Sequence, residues 1–318
     1  MNEHLLTEIE IQQFKCFSNF KASGFKRINL LGGKNNIGKT AFIEACFINL
    51  HSTNVKTMIT AIIGVKYVRE SLNVIGKSVD YKKFLDFTKN YAAKSNINNT
   101  AFSIIENDAI KKYKFTINGE SKTINANDLN IVFESVDNID FIDNFGLADY
   151  PLLKAFQAIQ KQDKENDINN AIHEFDDSIE NFKVIGDKPQ CKTNGHYRDL
   201  SEFGDGLRHY ISIICNIYAC KNGYLFIDEI GSGIHYTQLD RLWELIFKLS
   251  KENNCQIFAI THSKEVLESF ALVAQKLAEQ DISYTTMVKN KQQDIQALTR
   301  DYHMLLDSIE QEREVRGW

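Results

Sequence analysis

Eight residues constrain this chain more than any others. Gly33-Lys34-Asn35-Asn36-Ile37-Gly38-Lys39-Thr40 has the spacing of a phosphate-binding loop, with two glycines separated by four residues and followed by a lysine and a hydroxyl. The stretch Arg27-Ile28-Asn29-Leu30-Leu31 before it reads as a short strand, and Ala41 through Phe47 after it reads as a helix. A strand, a glycine-rich turn and a helix in that order let backbone N–H groups wrap a polyphosphate at the helix N-terminus, while the lysine reaches the outer phosphates and the hydroxyl holds Mg²⁺. Gly33, Asn35, Asn36, Gly38, Lys39, Thr40 and Ala41 are therefore expected to bind ATP or GTP, with Thr40 also on the metal.

The bulk numbers leave room for this and exclude little else. A chain of 318 residues with 43% hydrophobic content can form one α/β domain with insertions. Its net charge of −5 gives no global electrostatic reason to bind nucleic acid. The six cysteines have no Cys-x-x-Cys spacing, and several fall in apolar runs, so buried reduced thiols are the simplest reading. The N-terminus lacks the basic start and long apolar core of a signal peptide, and no apolar stretch is long enough to cross a bilayer. A cytosolic protein is expected.

Three short strands lead into the loop, at Glu8–Ile11, Phe17–Phe20 and Arg27–Leu31, and the first helix runs from Lys39 to Leu50. Residues 55–98 are weakly helical, with an apolar stripe of Tyr81, Phe84, Leu85 and Phe87 that suits packing. Ala101–Ile105 and Lys112–Ile117 read as strands, and the Asn118-Gly119 that follows is a hairpin signal; Leu129–Phe133 is expected to extend that antiparallel sheet. Pro151–Asn181 is a polar helical stretch broken by the charge run 161–167, a solvated connection between helices. From Tyr224 onward strand and helix alternate: strand Tyr224–Ile227, helix Thr237–Lys251, strand Gln256–Ile260, helix Lys264–Glu279 and strand Ser283–Val288. That alternation implies a mostly parallel sheet. A turn then leads to strand Ile295–Leu298 and a closing helix Tyr302–Glu312.

The discriminating residues lie downstream. Leu225-Phe226-Ile227-Asp228-Glu229 is an apolar strand ending in two carboxylates, which strand alternation would point to opposite sides. One, Asp228, could then face Mg²⁺ while Glu229 orients or deprotonates the attacking water. Phe258-Ala259-Ile260-Thr261-His262 is a second apolar strand, ending in a histidine, and one crossover helix separates the two. Both strand ends can therefore meet at the same sheet edge.

These pieces resemble the ATP-binding cassette (ABC) superfamily, in which a histidine at the position of His262 touches the γ-phosphate. That resemblance implies a signature loop at a helix start, supplied to the nucleotide of a second subunit. Leu200 through Tyr210 fits, with Gly204, Asp205 and Gly206 in the nucleotide-facing places and Gly204 standing where the superfamily has serine. These three residues would have no role in an isolated head. Ile11-Gln12-Gln13-Phe14-Lys15-Cys16-Phe17 with the loop after it looks like the opening of RecF, SMC and OLD-type ATPases. Ile227 through Tyr236, with an Ile-His pair at 234–235, looks like the OLD-type group in particular. No convincing Q-loop glutamine stands between them.

The resemblance implies an α/β fold: an ABC-type ATPase head with a mostly parallel central sheet, helices on both faces, an antiparallel β lobe and a helical insertion. Residues 1–318 would form one head, with the N-terminal strands and phosphate-binding loop at 1–50, an insertion at 51–200, and the signature helix, paired carboxylates and histidine at 201–318. Residues 151–181 could make only short helices, not the long coiled coil of SMC relatives, and residues 263–318 carry no TOPRIM-like acidic cluster. The altered signature argues against a membrane-bound transporter. The implied function is an ATP-hydrolysing dimerisation switch, with ATP and Mg²⁺ as cofactors, in DNA maintenance or anti-phage defence. Its partners would be a second copy of itself or a higher oligomer, an effector such as a nuclease or toxin, and DNA if the lysines at 82, 83, 89, 94, 111, 112, 114 and 122 form a basic face. A solvated lysine face is the simpler account of those residues. The competing reading is a non-hydrolytic scaffold that ATP holds together.

Overall fold

The computed structural model describes residues 4–74, 81–86, 88–107 and 110–310. The chain begins with β1 (Glu8–Phe14), β2 (Phe17–Ser23) and β3 (Ile28–Gly33), followed by α1 (Lys39–His51), α2 (Val55–Val74) and α3 (Lys82–Asp86). Next come β4 (Tyr91–Ser95), β5 (Asn99–Asn107), β6 (Ile110–Ile117), β7 (Glu120–Asn125) and β8 (Ile139–Ile142). A helical segment, α4 (Asp149–Gln160) and α5 (Glu165–Phe175), precedes β9 (Asn181–Ile185), β10 (Lys188–Thr193) and β11 (His196–Asp199). The last part holds α6 (Asp205–Ala219), β12 (Tyr224–Ile227), α7 (Leu239–Asn253), β13 (Gln256–Ile260), α8 (Lys264–Leu277), β14 (Ile282–Lys289), β15 (Ile295–Asp301) and α9 (Tyr302–Glu310).

The central sheet has the order β15-β14-β3-β13-β12-β8, parallel throughout except for β15 at its edge. β3, β13 and β12, at its centre, are buried along their whole length, as strands covered on both faces require. Leu225, Ile227, Ile257 and Ala259 pack with α6, α7 and α8, whereas Phe226, Phe258 and Ile260 pack with α1 and the N-terminal lobe. That lobe is a second sheet, β2-β1-β4-β5-β6-β7, antiparallel throughout. The Asn118-Gly119 turn takes φ +49° and +89°, the left-handed pair that a two-residue hairpin demands. The expected parallel core, antiparallel lobe and helical insertion are all present.

One local expectation fails, and two sheet regions lie beyond those expected. Leu129–Phe133 is irregular and not a strand; Glu134 donates its N–H to Thr60 Oγ1, so this segment is held by α2 rather than by a strand partner. The hairpin sheet instead continues through β4, which the weakly helical pattern of its surroundings concealed. A three-stranded sheet, β11-β10-β9, follows α5 and was not anticipated, because its strands are short and half exposed. Phe87, and residues 311–312 of the expected last helix, lie outside the described residues. The charge run at 161–167 does connect α4 and α5, with Asp163 left-handed at φ +52° in its turn.

Candidate active site

Parallel register brings the chemistry together. Ile227 stands opposite Ala259, and Ile260 opposite Leu31, so β12, β13 and β3 end at one edge of the sheet. The residues that follow those ends are Asp228-Glu229, Thr261-His262 and the loop 33–40. In open parallel sheets the carboxyl ends are where ligands bind, since the chain must leave the sheet there and its polar groups become available.

The loop's backbone explains its glycines. Gly33 takes φ +133° and Gly38 φ +106°, and a Cβ on Gly38 would sit 2.6 Å from Cys16 Sγ. Asn36 is left-handed at φ +63°, a conformation asparagine tolerates. Lys39 is buried, and its Nζ donates to the carbonyls of Gly33 (2.9 Å) and Lys34 (3.1 Å), so the ammonium is curled inside its own loop. Burial lowers its pKa, and the carboxylates of Glu229 and Asp228 oppose that shift. Thr40 Oγ1 donates to Asp228 Oδ1 at 3.4 Å. Hydroxyl and carboxylate oxygens side by side suit Mg²⁺, which takes one or two protein oxygens and fills its other positions with phosphate and water. No group of three or more His, Cys, Asp or Glu residues that could hold a metal occurs among the described residues.

Glu229 does not follow strand alternation. The strand stops at Ile227, and Glu229 takes a left-handed φ of +54° in the turn beyond it. This turn, pinned where Ile230 N–H bonds to the Ile260 carbonyl, aims Glu229 at the neighbouring strand end. Its Oε2 lies 2.7 Å from His262 Nδ1. His262 is exposed and stands just before Ser263, whose hydroxyl caps α8 by accepting the Val266 N–H. The two carboxylates do point apart, though not through alternation: Asp228 faces Thr40 and Glu229 faces His262.

Gly204 and Asp205 begin α6 on the surface. Gly204 is its N-cap with no side-chain cap, and among the described residues a Cβ there would meet nothing within 4 Å. Among the described residues no hydrogen bond joins Gly204 or Asp205 to residues 33–41. Gly206 differs from the expectation that all three are idle in one head. A Cβ on it would sit 2.0 Å from the Gly233 carbonyl oxygen, and Gly233 is itself left-handed at φ +69°. Gly206 is therefore needed within the head, for backbone-to-backbone packing of α6 on the segment after Glu229.

Two features were not legible in advance. The four-residue β8 pairs with β12 and delivers Asp143, Asn144 and Phe145, with no glutamine among them, to the edge beside Asp228. Asp143 is half-buried, which raises its pKa, and it accepts the Phe145 N–H. Its apolar signal, Ile139 to Ile142, is too short to stand out. Behind it a cavity of about 970 Å³ lies between α1, α2 and β8, lined by Phe47, His51, Asp140, Asp143, Arg208 and Asp228 among others. The phosphate-binding loop is not among its walls. The second feature is the ion pair of Lys15, in the β1–β2 turn, with buried Glu44, one turn into α1 beyond Thr40.

A phosphate-binding loop, a carboxylate pair and a histidine on adjacent parallel strand ends, with a glycine-led helix start on the surface, define a nucleotide-hydrolysing head. Residues 145–267 match the AAA ATPase domain family. The chain is 25% identical to an ATP/GTP phosphatase of Helicobacter pylori, over 94% of this chain and 96% of that protein. It is also 34% identical over 65 residues to the uncharacterized protein MJECL11 of Methanocaldococcus jannaschii, covering 20% of this chain and 57% of that one. Among solved structures, an SMC head bound to the C-winged helix domain of ScpA matches with a TM-score of 0.52 at 13% identity, over 95% of this chain and 99% of that chain. The chain is an ATPase, and its fold is similar to that of SMC heads. Among the described residues no helix is long and apolar enough to cross a membrane.

Proposed function

We propose that this ATPase is a dimerisation switch, in which two heads close on two Mg·ATP molecules and pass their state to an effector protein. The observation that carries the chemistry is the pairing of Thr40 with Asp228 and of Glu229 with His262 on adjoining strand ends. Lys39 would exchange its two loop carbonyls for the β- and γ-phosphates, while loop N–H groups and the α1 N-terminus face the phosphate oxygens. Thr40 and Asp228 would hold Mg²⁺, which neutralises charge that develops on the transferred phosphoryl group. Glu229 takes the proton of the attacking water, and His262 holds the carboxylate in place and faces the γ-phosphate. Gly204 and Asp205, open at the start of α6, support a second copy as the source of the last contacts, because a helix N-terminus favours the γ-phosphate charge. The role in DNA maintenance or anti-phage defence, with a nuclease or toxin as effector, follows from the RecF, SMC and OLD resemblance.

Glu229→Gln is expected to bind ATP and to slow turnover by about 10²–10⁴. Lys39→Ala is expected to lose binding. Light scattering of the Glu229→Gln protein should show a doubled mass with Mg·ATP, abolished by Gly204→Tyr. Turnover at the parental rate removes Glu229 as the base; unchanged mass with ATP removes the switch and leaves the ATPase.

A further inference from the structure

One buried polar side chain is used by none of this chemistry. His209 lies one turn into α6 beyond Asp205, is fully buried, and among the described residues makes no hydrogen bond of normal geometry through either ring nitrogen. Burial lowers its pKa, and the backbone of Ile230 and Glu229 counters that shift. On the same helix, three residues earlier, Gly206 presses on Gly233 so closely that no side chain fits between them. The start of α6 therefore touches both ends of the segment 229–234, whose first residue holds a left-handed φ of +54°. Left-handed glutamate is a conformation that the surroundings must impose.

We propose that His209 is a positioning residue which, with Gly206, locks the Glu229 turn to the start of α6. Contact made at Gly204 is then felt by the catalytic carboxylate of the same head. This rests on the two-headed reading above. In a closed pair, α6 of one head serves its partner's nucleotide while Glu229 serves its own, so the lock couples the two hydrolysis sites. The ring is held neutral by burial, with its pKa near 4, so it can donate one N–H to the Glu229 or Ile230 carbonyl while the other nitrogen stays unprotonated. A ring whose polar atoms went unused at all stages would be worse than a leucine at the same place.

The test is a double-mutant cycle on Mg·ATP turnover, with single-turnover phosphate release for the slow proteins. His209→Leu keeps bulk and removes both nitrogens; it is expected to lower kcat about three- to tenfold, the effect of one hydrogen bond, with KM for ATP nearly unchanged. His209→Asn or His209→Gln, which retain a donor, should recover most of that loss, and thermal stability of His209→Leu should equal or exceed the parent. In the Glu229→Gln background His209→Leu should cause no further slowing, since both act through one carboxylate. Gly206→Ala gives a second route to the same cycle. Equal fold losses in both backgrounds, or an unchanged kcat in His209→Leu, overturn the lock while leaving the switch intact. A Glu229→Gln protein as fast as the parent removes Glu229 as the base and the lock with it, while the switch still stands or falls on the mass of the pair.

Discussion

Gly38→Ala probes the cradle that the phosphate-binding loop makes. Gly38 sits at φ +106° and ψ +11°, where an L-residue is held by its Cβ against the following carbonyl, at about 1–2 kcal/mol. The new methyl would also lie 2.6 Å from Cys16 Sγ and 3.1 Å from Phe17 Cζ. Overpacking of this kind costs about 1–3 kcal/mol, because Phe17 is buried and has little room to retreat. The sum is about 2–5 kcal/mol of stability, read from urea denaturation at equilibrium. Cys16→Ala in the Gly38→Ala background removes the nearer clash, and about 1–2 kcal/mol should return; the part due to φ should not. Because Gly38 is also the N-cap of α1, the distorted loop should bind Mg·ATP more weakly in both proteins, measured by calorimetry. If Gly38→Ala costs less than about 0.5 kcal/mol, or if Cys16→Ala restores the full loss, the left-handed conformation is not a constraint on this loop.

Stability should also depend on pH through buried histidines. His51 accepts the Val136 N–H through Nε2 and has its pKa lowered by burial to about 4, from an ordinary 6.5. The unfolded chain binds the proton first, so this stabilisation is complete above the unfolded pKa and is lost as pH falls from about 6.5 towards 4. At pH 5 the loss is about 2 kcal/mol, and His51→Gln should remove that amount from the difference between urea unfolding at pH 8 and pH 5; an identical pH difference in the variant refutes it. For nucleic acid, the register places Lys94, Lys112 and Lys114 on the outward face of the antiparallel lobe, whereas Lys82 bonds to the Ala126 carbonyl and Lys111 pairs with Asp86. If that face tracks a DNA backbone, duplex binding by the ATP-locked Glu229→Gln protein should weaken steeply with salt in fluorescence anisotropy. Absent or salt-insensitive binding leaves a protein effector as the partner.

The sequence by itself determined the elements whose signals are local. A phosphate-binding loop is legible because its glycines, lysine and threonine are contiguous and each answers a local demand of backbone or ligand. The strand at Gln256–Ile260 was legible to the residue because a run of five buried residues between a turn and a helix cap has one reading. The hairpin at Asn118-Gly119 was legible because two consecutive positive φ values favour that dipeptide. Tertiary structure decided what depends on neighbours distant in the chain. The short β8 is a strand because β12 pairs with it, and its isolated signal is lost among apolar residues. Glu229 reaches His262 through a left-handed turn held by the Ile260 carbonyl, not through the alternation that adjacency in sequence implies. Gly206 has the composition of a nucleotide loop yet answers to Gly233, and His209 looks like one more polar residue on a helix until the fold buries it against Glu229. Backbone contacts between segments leave no periodic mark in a sequence, since either partner's residue type is set by the space the other leaves.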